Sequence, residues 1–164
     1  VGTSAARLFV ALYLGVPYEA SEAAILPETA LDILGDRVNP ELRERIEDIR
    51  KLWKTYCNNT GYADEDLGTF EEYGLCADYV APGTFSDQKR GYFRWQLSWG
   101  GPSDEFRFYM DENLKAIEIE YWFLDWFDGA CINLTGSDYQ LLEEIFTSYF
   151  KESGVKEYER EKSY

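Results

Sequence analysis

The sequence contains no histidine, and this absence removes several kinds of chemistry. Catalysis by a Ser-His-Asp or Cys-His arrangement is excluded, and so is any metal site with imidazole ligands. Basic residues are also scarce, because 16 Lys and Arg face 31 Asp and Glu, for a formal net charge of -15. Nucleic-acid-binding proteins need clustered Lys and Arg for phosphate contacts, so we expect no direct binding to nucleic acid.

The sequence likewise contains few cysteines and few long apolar runs. The three cysteines are an odd number without C-x-x-C spacing, which predicts three free thiols in a reducing cytoplasm. The apolar run at residues 8–14 is too short to cross a bilayer, so we expect a cytoplasmic protein that does not contact membranes. At 164 residues, 17% of them aromatic, the chain is long enough for one domain with a real core.

The N-terminal third is typical of helices. Ser4 is a candidate N-cap for a first helix that ends at Gly15, and a shorter helix is predicted over residues 27–34. Asn39 and Pro40 then form a cap and a first helical position. The helix predicted after them carries an apolar stripe at steps of three and four residues, formed by Leu42, Ile46, Ile49, Trp53 and Tyr56.

The second half changes to an alternation of apolar and polar residues. Strands are predicted over 92–99, 105–110 and 117–123, with a short fourth strand over 130–134. Thr135 or Ser137 caps a last helix whose apolar stripe covers the sheet. We expect Trp95 and Phe108 to be buried beneath Ile145 and Phe146 of that helix. On the other face of the sheet, polar pairs are expected across the strands, with Arg94 and Arg107 opposite Glu118 and Glu120.

These elements predict an α+β fold with N-terminal helices, a three- to four-stranded antiparallel β-meander and a C-terminal helix packed on the sheet. We expect a single domain over residues 1–164. It divides into a helical part at 1–62, an acidic irregular segment at 63–88, the meander and last helix at 89–154, and a charged tail at 155–164.

The acidic segment 63–88 is the first candidate site, because it holds seven acidic residues and no basic one. It is not an EF-hand, since glycine falls at the fifth position after Asp64 instead of the sixth and position 12 is Leu75. No metal or other cofactor is therefore expected. We predict that this segment contacts a basic partner through Asp64, Glu65, Asp66, Glu71 and Glu72; the alternative is a solvated connection.

Trp122 and Trp126 are the next candidates for partner binding. They fall on the strand face that Glu118 and Glu120 assign to solvent, so either a bulge swaps the faces or both faces are covered there. Aromatic residues anchor interfaces, which favours a contact role. The alternative is burial under the N-terminal helices.

An enzyme is the alternative function, because carboxylates on or near the third strand could support glycoside hydrolysis: Glu118, Glu120, Asp125 and Asp128. No pair among them stands out, and register-setting surface charge explains them equally. No catalytic residue is therefore assigned.

Two stretches, residues 92–108 and 119–130, resemble small acidic proteins encoded on bacterial plasmids and phages. The likeness extends from about Gly68 to Phe150 and excludes the N-terminal helices. No activity is assigned to that family, so the resemblance implies a mobile-element context and no catalytic residue.

In that context the charge indicates a non-enzymatic antidefence inhibitor. Carboxylates along a surface can imitate the phosphates of DNA and occupy the basic DNA-binding surface of a host nuclease complex, as an anti-CRISPR or antirestriction protein does. A general adaptor for a basic protein partner, or acidity that only maintains solubility, are the simpler alternatives.

Overall fold

A computed structural model describes residues 7–8, 28–58, 63–86, 88–125 and 128–151, with the backbone alone for residues 7, 8, 28–37 and 128. The elements in chain order are β1 Arg7–Leu8, α1 Glu28–Cys57, β2 Cys76–Val80, β3 Tyr92–Ser98, β4 Ser103–Met110, β5 Ala116–Asp125, β6 Asp128–Asn133 and α2 Gly136–Ile145. A 3₁₀ turn, Phe70–Glu72, precedes β2, and a π-helical turn, Phe146–Phe150, continues α2.

The strands form one antiparallel sheet in the order β1-β6-β5-β4-β3-β2. The predicted α+β class, the meander from β3 to β6 and the C-terminal helix are confirmed. The predicted strand count was too low, because β2 makes a fifth strand in addition to the two-residue β1. β2 lies in the segment that was predicted to be irregular, where its five residues pair with Tyr92–Gln96 of β3.

The core lies between the helices and one face of the sheet, which we call the inner face: Phe93, Trp95, Phe106, Phe108, Ile119, Tyr121 and Phe123. Trp95 and Phe108 are buried there as predicted. The Phe108 ring stacks on Phe146 at 5.1 Å, and Trp95 contacts the ring of Phe150 at 5.0 Å. Aromatic packing of this kind explains how a small domain with one methionine fills its interior.

Two register shifts change which residues face the core. One lies at Leu97 in β3, between the pairs made by Gln96 and Ser98, and the other lies between Tyr109 and Met110 of β4. The second shift leaves Ile117 of β5 outside the alternation, so this residue is 55% exposed although it was predicted to face inward. Trp99, also predicted inward, follows the last residue of β3 and is 78% exposed.

The N-terminal helices differ from the prediction. Helix α1 is continuous from Glu28 to Cys57 and contains Pro40, so the predicted stop at Gly35 and the new start at Asn39 are wrong. Pro40 removes one helical hydrogen bond, but residues on either side of it, Val38 and Ile46, are buried in the core. Tertiary packing of this kind outweighs local helix-breaking signals.

The first predicted helix is contradicted where the structure describes it. Arg7 and Leu8 pair as a strand with Cys131 and Ala130 of β6 instead of forming helical turns. The rest of that predicted helix and the charged tail at 155–164 lie outside the described residues.

The opposite face of the sheet, which we call the outer face, carries ion pairs different from those predicted. Arg94 forms two hydrogen bonds to Asp78 of β2, at 2.9 and 2.8 Å, because β2 is its neighbouring strand and β5 is two strands away. Arg107 lies opposite Glu120 in register, but its Nε donates to Glu105 on its own strand at 2.6 Å.

Within the described residues, no helix is long and apolar enough to span a bilayer. None of the three cysteines forms a disulfide; Cys57 and Cys76 are exposed and Cys131 is buried, as expected for three thiols.

We expect the substitution Trp95→Ala to lower the free energy of unfolding by ~3–5 kcal/mol, because it removes a large aromatic group from the inner face. Trp99→Ala is the matched control and should change it by less than ~0.5 kcal/mol, since Trp99 is exposed. Urea denaturation of both variants measures the difference. Equal stabilities would mean that the inner face is assigned wrongly.

Candidate functional site: an acidic loop beside helix α1

The acidic loop, residues 63–72, has a defined conformation. The backbones of Asp64 and Gly68 form two hydrogen bonds with each other, at 2.8 and 3.0 Å. The Asp64 carboxylate also accepts hydrogen bonds from the N–H groups of Asp66 and Leu67, both at 3.2 Å. Asp64 therefore builds the turn, as aspartate does in many loops.

Asp64 also joins the loop to α1 through an ion pair with Lys51. The hydrogen bond from Lys51 lowers the pKa of the Asp64 carboxyl, and the two backbone hydrogen bonds act in the same direction. This carboxylate has a structural role in the loop, and its predicted contact with a partner stays a prediction.

Glu72 has a similar structural role at the other end of the loop. Its carboxylate accepts hydrogen bonds from the N–H and the hydroxyl of Thr69, at 3.1 and 2.9 Å. Phe70 between them is buried, with its ring 4.9 Å from that of Trp53 on α1. The loop is thus fixed to the core at its centre and closed at both ends.

The other three predicted contact residues point into solvent. Glu65, Asp66 and Glu71 are exposed, and their carboxylates form no hydrogen bond or ion pair with any residue that the structure describes. The five-residue prediction therefore divides into two structural carboxylates and three available ones.

Helix α1 adds acidic residues beside the loop, and this part of the site was missed. Glu41, Glu44 and Asp48 recur at steps of three and four residues, so they share one side of the helix. The hydroxyl of Tyr73, just after the loop, donates to Asp48 at 3.1 Å and places the loop on that side. The spacing was visible in the sequence, but only the contact shows that this stripe adjoins the loop.

Three basic residues of α1 occupy a different side of the helix. Arg43, Arg50 and Lys54 also follow helical spacing, and Arg50 bonds to Asp138 of α2 at 3.0 Å. The side that faces the loop is not purely acidic, because Lys51 on it pairs with Asp64 and Arg45 bonds to the Tyr73 hydroxyl.

Trp122 is not part of this surface. It lies on the outer face, opposite α1, where the Arg107 guanidinium lies 3.9 Å from its ring and its Nε1 donates to Glu120 at 2.7 Å. The alternation does not break at Trp122: Glu118, Glu120 and Trp122 share the outer face without a bulge between them. Burial beneath α1 is therefore wrong for Trp122, and Trp126 lies outside the described residues.

The carboxylates considered for glycoside hydrolysis are engaged on the outer face. Glu118 bonds to Arg90 at 2.7 Å, and Glu120 accepts a hydrogen bond from Tyr109 at 3.0 Å. Asp125 is half-buried beside β6, and the side chain of Asp128 lies outside the described residues. None of these four lines the cleft described next.

A cleft of about 270 Å³ opens between β2 and the π-helical turn after α2. Its lining is mixed in polarity: aromatic residues dominate it, and Glu71 is the acidic residue among the described residues that line it. Gly74 has a φ of +95°, and a Cβ there would lie 2.6 Å from Nε1 of Trp95, so glycine is required at this wall. Two carboxylates are needed for glycoside hydrolysis, and among the described residues this cleft offers one.

A buried polar cluster also escaped sequence reasoning, which placed Asp104 in a loop. Asp104 lies in β4 on the inner face and is 2% exposed. It accepts hydrogen bonds from Arg45 Nε at 2.7 Å, from the Tyr121 hydroxyl at 2.8 Å and from the Ser98 hydroxyl. The register shift at Leu97 brings Ser98 opposite Asp104.

This cluster ties α1 to the centre of the sheet. Burial alone would lower the pKa of Arg45, but hydrogen bonds to Asp104 and Tyr73 outweigh that effect and raise it. Burial raises the pKa of Tyr121, and the charge of Asp104 raises it further. Every donor and acceptor around Asp104 has a partner, so the cluster has a structural role: it fixes α1 to the sheet.

No protein-family model, curated protein or solved structure matches the chain. The resemblance to small acidic plasmid and phage proteins therefore stays a prediction. Among the described residues, no three His, Cys, Asp or Glu side chains are grouped closely enough to hold a metal ion.

Removing Arg45 should destabilise the fold by ~3–5 kcal/mol, because the Asp104 carboxylate is left buried without its cationic partner. Arg45→Met is the test variant; Asp104→Asn should cost less, because the Arg45 side chain left behind is 27% exposed. Arg50→Met is the control: its pair with Asp138 is exposed, so its loss should cost at most ~1 kcal/mol. Thermal and urea unfolding measure these costs, and a similar small cost at both pairs would contradict the assigned role of Asp104.

Alkaline pH should unfold the protein in one cooperative step. Burial raises the pKa of Tyr73 to about 12 from the ordinary value of 10.0, and it also raises the pKa of Tyr109 and Tyr121. A raised pKa favours the neutral phenol in the folded state, so this stabilisation is complete below pH 10 and is lost as the pH rises through 10 toward 12. Phenolate absorbance and near-ultraviolet circular dichroism should change together. Titration of all 13 tyrosines near pH 10 with the fold intact would refute this.

Proposed function

We propose that this protein is a non-enzymatic inhibitor that binds the basic DNA-binding surface of a host DNA-targeting nuclease complex. The partner would be a CRISPR effector or a restriction enzyme, in the cytoplasm of the bacterial host. The observation that carries the proposal is the group of three exposed carboxylates of Glu65, Asp66 and Glu71, which pair with no residue that the structure describes and lie on a loop joined to α1 through Lys51.

The spacing of charge supports imitation of nucleic acid. Glu41, Glu44 and Asp48 place three carboxylates on eight residues of helix, with a mean spacing of ~5 Å at the rise of an α-helix. One strand of DNA presents one phosphate per ~3.4 Å of axis. The stripe and the adjoining loop together approach that density on one side of the molecule.

The conformation of the loop also favours binding. Flexible segments lose entropy when they bind, and this loss weakens the complex. Here Lys51 and Thr69 hold the two structural carboxylates, and Phe70 anchors the loop in the core. The free carboxylates are therefore presented on a preformed surface.

Long-range attraction acts in the same direction. A net charge of -15 speeds encounter with a basic surface and repels DNA itself. Affinity for the partner should fall as salt rises, since charges are screened beyond ~8 Å at physiological ionic strength.

The test compares two variants of equal charge. Glu65→Gln, Asp66→Asn and Glu71→Gln together remove the free carboxylates of the loop. Glu112→Gln, Asp138→Asn and Glu143→Gln remove the same number of charges from the β4–β5 turn and from α2. Both triple variants should fold, because neither removes Asp64 or Glu72.

Purified CRISPR effectors and restriction enzymes are assayed for DNA cleavage in the presence of each protein. We expect the parent and the control variant to inhibit at least one complex, and the loop variant to inhibit it at least tenfold less, a change of ~1.4 kcal/mol. Equal inhibition by both variants would show that the loop is not the contact. Absence of inhibition across the panel, or direct binding of the protein to duplex DNA, would contradict the proposed function.

A further inference from the structure

The outer edge of β2 is an exposed end of the sheet. β2 is the last strand in the sheet order, and no described strand pairs with its other side. Cys76, Ala77 and Asp78 are all exposed. Proteins usually cover or disrupt such an edge, because its unpaired N–H and C=O groups can pair with another chain.

The direction of the free backbone groups follows from one hydrogen bond. The N–H of Leu75 donates to the carbonyl of Gln96 on β3 at 2.8 Å. The carbonyl of Gln96 therefore faces β2, and its register partner is Cys76, so the backbone groups of Cys76 and Asp78 face β3. Because the direction alternates along a strand, the N–H and C=O of Ala77 between them point away from the sheet, where an added antiparallel strand can form hydrogen bonds.

The 270 Å³ cleft lies directly beside this edge. Trp95 and Phe93 of β3 line it, the π-helical turn supplies Tyr149 and Phe150, and Ala77 of β2 and the exposed Leu75 just before β2 also line it. Single π-helical turns are rare and are frequent at functional sites. A strand laid along β2 would direct one of its side chains into this cleft, where it would meet the aromatic rings.

Charge identifies what would bind there. Among the described residues that line the cleft, Glu71 is acidic and none is basic, whereas the Asp78 carboxylate on β2 is already paired with Arg94. A second copy of this chain would bring the same Glu71 carboxylate and its own charge of -15 to the same edge. Repulsion therefore opposes pairing between copies, and a basic segment is favoured.

We propose that the outer edge of β2 and the adjoining cleft bind an extended, basic peptide segment of a partner protein. The segment pairs with β2 as an additional strand, inserts one large apolar side chain into the cleft, and places a Lys or Arg against Glu71. Recognition by strand addition with side-chain pockets is an established mode for other domains. The proposal concerns a different surface from Glu65 and Asp66, and it does not depend on the partner being a nuclease.

The probe is a synthetic, fluorescently labelled hexapeptide, acetyl-Lys-Val-Phe-Val-Lys-Val-amide, which presents its Phe and both Lys on one side of a strand. Fluorescence anisotropy should show saturable binding to the intact protein. Two control peptides separate the contributions: one has Glu in place of both Lys, and one carries N-methyl groups on alternate backbone amides. Each should bind at least tenfold more weakly, through lost charge attraction and lost strand pairing respectively.

Variants test the same contacts on the protein. Ala77→Phe fills the cleft, and Ala77→Pro removes the N–H that points away from β3; each should weaken binding at least tenfold. Glu71→Gln should weaken it severalfold, whereas Glu65→Gln, outside the cleft, is the control and should leave it unchanged. If Ala77→Pro fails to fold, the N-methylated peptide makes the equivalent test.

The proposal is overturned by lack of saturable binding up to millimolar peptide, or by equal affinity for the N-methylated peptide. Concentration-dependent dimerisation that Ala77→Phe abolishes would instead assign the edge to a second copy. The proposed inhibition is tested separately. Glu65→Gln combined with Asp66→Asn should weaken nuclease inhibition and leave peptide binding unchanged.

Discussion

The buried ion pair between Arg45 and Asp104 determines where α1 lies on the sheet. Aromatic packing on the inner face supplies most of the stabilising free energy, but it is non-directional and tolerates other placements of a helix. The Asp104 carboxylate, which is 2% exposed, tolerates no other placement of α1, because it needs Arg45 and the hydroxyls of Tyr121 and Ser98 together. Buried polar clusters often provide specificity in place of stability, and here that specificity sets the position of every element attached to α1. The acidic loop is such an element, since Lys51 and Tyr73 attach it to the helix.

Carboxylates in this protein have two different roles, and composition does not distinguish them. Asp64 and Glu72 hold the loop together through backbone and hydroxyl hydrogen bonds, while Glu65, Asp66 and Glu71 between them remain available. On the outer face, the carboxylates of Asp78 and Glu105 also have a structural role, because they pair with Arg94 and Arg107. The formal charge of the chain therefore overstates the charge that a partner can contact.

Strands β3, β4 and β5 could be predicted because each has one fully apolar face, and α2 could be predicted because its stripe is broad. β2 could not, since its five residues include Asp78 and Cys76 and become a strand only when β3 provides Arg94 and backbone partners. The continuity of α1 through Pro40 was hidden for the opposite reason: local signals were strong and tertiary packing overruled them. Trp122 needed the structure as well, because the Arg107 guanidinium that covers it comes from the adjacent strand. Three of the five acidic contact candidates kept an exposed, unpaired carboxylate, and the helical stripe that joins them was recognised only through the Tyr73–Asp48 contact.

The acidity of the chain also bears on how an exposed sheet edge is tolerated. A strand edge next to a cleft lined by aromatic rings invites association between identical molecules, which natural sheets avoid with charge, bulges or cover. Here β2 has neither a bulge nor a described covering strand, so charge is the remaining protection. Because every copy carries Glu71 beside this edge and a net charge of -15, that charge repels self-association and at the same time attracts basic segments. One physical property thus excludes the wrong partner and selects the right one, which is how specificity arises from a difference between two affinities.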